Sequence, residues 1–218
     1  MKIAVKITPK EDKLEMAQNA GFVFVEIYTD KNLLSSESIR VLRNFDFEYA
    51  VHAPTKSFDK GVIDFCEKLD VKTIAIHLVN EIPELKKLVD YAKKFGINIC
   101  VENLSGNKLP TAKEFFELKE KIPNIMMNID IEHLIMINQF PNMISEIDQS
   151  IGHCHITGYP PNHHSPPYEN PEIVKRDVEE LKKIGYQEFI TAEMDLKYQN
   201  EEILKKTFKF MNEIVNQK

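Results

Sequence analysis

Eight short runs rich in β-branched and aromatic residues recur along this chain. Their alternation with charged, helix-periodic stretches constrains the fold more than any other feature. The runs are "KIAVKI" (2–7), "FVFVEIY" (22–28), "FEYAVHA" (47–53), "TIAIHL" (73–78), "INICVEN" (97–103), "IMMNID" (125–130), "IGHCHIT" (151–157) and "EFITAEM" (188–194). Between them "IPELKKLVDYAKKFG" (82–96), "LPTAKEFFELKEKI" (109–122) and "PEIVKRDVEELKKIG" (171–185) repeat apolar positions at helical spacing. The first has Pro83 near its start and Gly96 just past its end, which is the punctuation of a helix. Strands alternating with helices imply a parallel sheet covered by helices. With 218 residues over eight units, each unit is about 27 residues, enough to close a compact (β/α)8 barrel. A doubly wound open sheet is the structural alternative. No linker-like stretch divides residues 1–218, so a single domain is expected.

The last residues of the strands carry one kind of chemistry. Strands two to eight finish on Glu26, His52, His77, Glu102, Asp130, His155 and Glu193. Most spacings are 25 to 28 residues and the last is 38, because the loop at 157–171 is long and rich in Pro and His. In a closed barrel all strand C-termini converge on one mouth, where active sites are built. Acids and imidazoles crowded there raise each other's energy unless a cation compensates them. A divalent metal supplies that compensation and takes carboxylate and imidazole ligands. Taken singly, a strand-end Glu or His is an ordinary capping or solvent-facing group, and Glu26 could simply pair with a lysine. The coincidence over strands three to eight is what points to a metal. Two positions earlier on each strand stand Phe24, Ala50, Ala75, Cys100, Asn128, His153 and Thr191. These face the same interior, and most are small or polar. Asn128 and His153 are expected to orient the ligands by hydrogen bonds.

Composition narrows the setting. The net charge of −6 gives no general attraction to nucleic acid. Cys66, Cys100 and Cys154 are an odd count without CxxC spacing, as expected of reduced thiols in a cytoplasmic protein. No apolar leader follows Met1, and no apolar run approaches the roughly 20 residues of a bilayer span. Neither secretion nor a membrane partner is therefore expected.

The motifs "VEN" (101–103), "DIEH" (130–133), "HITG" (155–158) and "AEM" (192–194), with "VHAP" (51–54) and "IHL" (76–78), together resemble the xylose isomerase-like TIM-barrel superfamily. That superfamily includes sugar isomerases, epimerases and endonuclease IV. The resemblance implies a metal held by Glu102, Asp130, His155 and Glu193. Its endonuclease branch implies further ligands, here matching His52, His77, His133 and His163, for up to three zinc ions. That branch has an Asp two residues before the loop histidine, where this chain has Pro161.

Two activities follow. One is a metal-dependent isomerase or epimerase of a small sugar, sugar phosphate or hydroxy-ketone, using Mn, Mg, Co or Zn. It would work through an enediolate, with Glu102 and Glu193 as the acid–base pair. In this reading His133, Tyr159 and His164 contact substrate or form a lid. The other is an endonuclease IV-like zinc-dependent phosphodiester hydrolase acting on abasic DNA. A non-catalytic metal-binding barrel is a third reading. "SGNK" (105–108) is a candidate anion contact. The resemblance also implies that a homodimer is common among relatives.

Overall fold

The structure is a computed structural model and describes residues 1–104, 109 and 111–217. The anion contact expected at 105–108 lies outside the described residues. In chain order the elements are β1 (Lys2–Ile7), α1 (Glu11–Ala20), β2 (Phe24–Tyr28), α2 (Ser36–Leu42), β3 (Glu48–His52), α3 (Lys60–Lys68), β4 (Thr73–Ile76), α4 (Ile82–Lys93), β5 (Asn98–Glu102), α5 (Ala112–Lys121), β6 (Met126–Asp130), α6 (Ile131–Met136), α7 (Asn142–Ile147), β7 (Ile151–Ile156), α8 (Pro171–Lys183), β8 (Phe189–Ala192) and α9 (Glu201–Asn216). Each strand pairs in parallel with the next, and β8 returns to β1. The sheet is thus a closed eight-stranded barrel, and the open-sheet alternative is excluded.

Both faces of these strands are buried, but by different chemistry. Ile3, Val5 and Ile7 of β1, Val25 and Ile27 of β2, and Ile74 and Ile76 of β4 belong to one apolar core. That core also takes Leu14 and Ala17 of α1, Leu85 and Val89 of α4, and Leu204, Met211 and Ile214 of α9. On the helices these positions recur every three or four residues, which places them on one face. The opposite strand parity points into the barrel. There Ala4, Ala50, Phe189 and Phe24 form a small apolar plug. Glu26, Glu102, Asn128, His153 and Thr191 are buried at the strand positions above it. The apolar core therefore lies between strands and helices, and the barrel's interior is left polar.

Between β6 and β7 the chain makes two short helices where one was expected. Asn138 takes a positive φ of 55°, a conformation Asn tolerates better than most residues, and Pro141 stands at the N-cap of α7. Together they stop α6 and restart the chain as α7. No helix among the described residues is long and apolar enough to cross a membrane. The three cysteines are free and buried.

Candidate metal and substrate site

The C-terminal ends of the strands surround a cavity of about 790 Å³. Its lining includes Lys6, His52, His77, Glu102, Asp130, His133, His164 and Glu193. Glu102, Asp130 and His155 bring one ligand atom each to within 4.8 Å of one another. His52, His77 and Glu102 form a second such trio, sharing Glu102 with the first.

Each of these groups is aimed by a specific neighbour. Asp130 ends β6 and caps α6, its Oδ1 accepting from His133 N at 3.1 Å. Asn103 locks that strand end: its Nδ2 donates to Asp130 O (3.0 Å) and its Oδ1 accepts from Asp130 N (2.7 Å). His133 Nδ1 donates to Asn103 O at 2.8 Å. Glu102 Oε2 lies 3.2 Å from His52 Nε2 and accepts from Asn128 Nδ2 at 3.1 Å. His52 Nδ1 sits 2.8 Å from Ala53 O. A carbonyl can only accept, so Nδ1 donates to Ala53 O, which turns Nε2 toward Glu102.

Glu26 pairs with histidines, not with a lysine. Its Oε2 lies 2.5 Å from His153 Nε2 and 3.0 Å from His155 Nε2, and all three residues are fully buried. Glu26 thus fixes the His155 ring with Nδ1 turned toward Glu193 Oε2 (2.6 Å) and Glu102 Oε2 (3.6 Å). A carboxylate behind a ligating histidine is the usual way such a ring is oriented. His153 lies beside Thr191 Oγ1 at 3.2 Å, beneath His155.

Lys6 escaped the strand-end pattern, which began at β2. Its Nζ donates to Glu193 Oε1 at 2.7 Å, with the side chain only 9% exposed. Glu132 is a second unanticipated residue. Its buried carboxylate accepts from Thr157 Oγ1 (2.7 Å), His164 N (3.1 Å) and His163 Nδ1 (2.5 Å), so it ties down the loop after β7. That contact decides the place of His163. Its ring is held by Glu132 and stacked on Tyr159, with centroids 4.9 Å apart and the side chain 59% exposed. The structure therefore does not bring His163 to the clustered ligands. Tyr159, stacked away with it, is absent from the described cavity lining, whereas His164 lines the cavity.

Electrostatics separate the carboxylates. Burial alone would raise Glu102, but His52 and His155 push it down to about 2. Burial would likewise raise Glu26 and Glu193. His155 and His153 hold the first well below its ordinary range, and Lys6 and His155 do so for the second. Asp130 goes the other way: burial raises it to about 6 despite His133. Its Oδ2 makes no hydrogen bond. Glu193 Oε2 faces His155 Nδ1 at 2.6 Å. The buried Asp130 oxygen without a donor, beside Glu102 and His155, fits a divalent cation by the chemistry of the donor set.

A family model described as a xylose isomerase-like TIM barrel matches residues 14–214. No curated protein matches the sequence. Among solved structures, a D-tagatose 3-epimerase-like protein is 21% identical with a TM-score of 0.74, covering 99% of this chain and 98% of its own. A D-psicose 3-epimerase from Clostridium cellulolyticum H10, solved with D-tagatose, is 15% identical with a TM-score of 0.71, covering all of both chains. A 3-keto-D-glucoside 4-epimerase from E. coli is 13% identical with a TM-score of 0.71, covering 98% of this chain and 99% of its own. At such identities the likeness is one of fold.

Proposed function

The chain belongs to the xylose isomerase-like TIM-barrel family, and from that premise we propose that it is a divalent-metal-dependent isomerase or epimerase of a small sugar or hydroxy-ketone. The observation that carries this reading is the pair Glu102 and Glu193. Neighbouring histidines and Lys6 hold both below the usual carboxylate range, both line the cavity, His155 lies beside both, and Asp130 lies beside Glu102. The matching folds include a D-psicose 3-epimerase and a 3-keto-D-glucoside 4-epimerase, and this supports the same class of substrate here.

Glu102, Asp130, His155 through Nδ1, and Glu193 would hold the ion. Bound there, it would supply a Lewis acid for adjacent substrate oxygens. The protein's own groups do the rest. One of the two glutamates accepts the proton from the carbon beside the carbonyl, and the other returns one. His52 and Asn128 fix Glu102, while Lys6 fixes Glu193, so neither carboxylate has to reorganise during turnover. His133 and His164 border the space where substrate hydroxyls would lie.

A second reading, an endonuclease IV-like zinc hydrolase, is favoured by the trio His52, His77 and Glu102, which could hold another ion next to the first. Against it, the described cavity lining includes no arginine, Lys6 is engaged by Glu193, and Lys10 at the rim is the one other lysine in that lining; phosphate backbones are gripped by several Lys and Arg. Metal analysis of protein purified without added metal separates the two. About one Mn, Mg or Co per chain, with solvent deuterium entering a ketose, is expected. Two or three zinc ions with cleavage of abasic DNA would replace this reading by the second. A Glu102→Gln variant that keeps both metal and turnover would sink the site assignment.

A further inference from the structure

Lys6 sits where no acid or imidazole was expected, and its surroundings suggest a role of its own. Its ammonium carries three N–H groups, and Glu193 Oε1 accepts one of them. The Tyr28 ring stands 5.9 Å away, and Lys6 is one of the residues that line the cavity. In register Lys6 pairs with Glu26, so it lies at the depth of the ligand cluster. Lys10, by contrast, borders the same cavity from the β1–α1 turn, and Leu196, also in the lining, is exposed. A cation at that depth can meet the reacting end of a small substrate, where a cation at the rim would meet its tail.

We propose, on the isomerase reading above, that Lys6 is a catalytic residue: it donates a hydrogen bond to the oxyanion that develops on the substrate. The carbon–hydrogen bond breaks and its electron pair becomes the new C=C bond. The carbonyl π pair moves onto oxygen, and the proton goes to a carboxylate of the Glu102–Glu193 pair. Lys6 keeps its own proton throughout and contributes a donor and a fixed charge. A donor already in place, on a side chain only 9% exposed, needs little reorganisation as that charge forms.

The test uses the Mn²⁺-loaded protein with Lys6→Met and Lys6→Arg, and oxalate as a planar dianion with adjacent oxygens. In Lys6→Met, oxalate binding by calorimetry should weaken by roughly 10- to 100-fold. Its kcat on any ketose the wild type turns over should fall by roughly 100-fold, the cost of losing one such donor. The Mn²⁺ Kd should hold or tighten, because a positive charge has left the neighbourhood of the ion. Lys6→Arg, which keeps the charge but not the donor geometry, should weaken oxalate binding less than Lys6→Met does, by roughly two- to tenfold. Unchanged oxalate binding in Lys6→Met overturns the proposal, and so does loss of Mn²⁺ and oxalate together, which marks a merely structural lysine. If Lys6→Met does not fold, Lys6→Arg decides. An oxalate Kd within twofold of wild type overturns the proposal, and a larger weakening supports it, since a guanidinium cannot reproduce the ammonium's donor geometry. Lys6-dependent oxalate binding in a wild type without ketose turnover would refute the isomerase reading and leave the oxyanion donor standing. Turnover that survives Lys6→Met would do the reverse.

Discussion

Asp130→Asn should make the metal-free protein more stable at neutral pH while removing its capacity to be stabilised by metal. The carboxyl is buried, its Oδ2 makes no hydrogen bond, and burial raises it from 3.8 to about 6. A rise of about two in pKa is about 3 kcal/mol of cost to the ionised folded state. The sign follows from linkage. The folded pKa lies above the unfolded one, so between about 4 and 6 the folded form binds more protons and stability falls as pH rises. Above about 6 the cost is fully present; below about 4 it is absent. Asn removes the charge and keeps the α6 cap, because its side-chain oxygen can still accept from His133 N, and Asn caps as well as Asp. Its amide is only partly satisfied in the same place, so the expected gain is about 1–3 kcal/mol, or roughly 2–10 °C in Tm for a chain of this size. Calorimetric melts of chelator-treated protein at pH 7.5 and pH 4.5 measure it, and the gain should shrink at the lower pH. Adding Mn²⁺ should stabilise the wild type, by about 4 kcal/mol at a thousandfold excess over Kd, and so raise its Tm, while leaving the variant nearly unmoved. If Asp130→Asn destabilises the chelated protein at pH 7.5, the carboxylate is a satisfied structural group and not a metal ligand.

Two further outcomes test the loop over the mouth. His163→Ala should leave metal stoichiometry by elemental analysis unchanged, because Glu132 and Tyr159 hold that ring apart from the ligand cluster; a lost metal equivalent would return His163 to the site. Gly158→Ala would place a Cβ 2.4 Å from Pro166 O and 2.8 Å from Ser165 Oγ, at the neck where Gly158 N donates to Ser165 O. The forced displacement should cost about 1–3 kcal/mol, and an unaltered Tm would show that the neck is not packed as described.

The barrel and the ligand level were legible because both are periodic. A strand repeats its face every two residues, and the (β/α) unit repeats its strand end at nearly constant spacing, so Glu102, Asp130 and His155 could be placed on one rim from spacing alone. Lys6 was legible by the same parity. In "KIAVKI" the aliphatic Ile3, Val5 and Ile7 must face the helices, which leaves Lys6 inside. It was missed because the pattern sought was acids and imidazoles. Glu132 was not legible. It stands in "DIEH" between two candidate ligands, yet its partners Thr157, His163 and His164 lie 25 to 32 residues away. Only the path of the loop brings them together. The contacts of His163 with Glu132 and Tyr159 were hidden for the same reason: residue type shows what it could bind, and the loop path decides what it meets.

The interior charges also show where a cation belongs. Glu26 has two histidines, Glu102 has His52 and Asn128, and Glu193 has Lys6. Asp130 has only His133 Nδ1 at 3.5 Å from its Oδ2, and that nitrogen already donates to Asn103 O. The compensation is therefore lopsided. One side of the cluster, at Glu193, carries a built-in ammonium, and the other, at Asp130, carries an acid that burial pushes up. A stabilising barrel interior would be filled with branched aliphatics. Here the aliphatic layer between strands and helices holds the fold together, which frees the interior to keep charge at a cost. Glu102, Asp130, His155 and Glu193 would hold a divalent ion, which would supply a Lewis acid for substrate oxygens, while Lys6 adds a covalently attached positive charge beside Glu193. Removing either cation should therefore have distinguishable effects: loss of the ion abolishes substrate chelation, whereas loss of Lys6 leaves chelation and weakens only what forms after the proton has left.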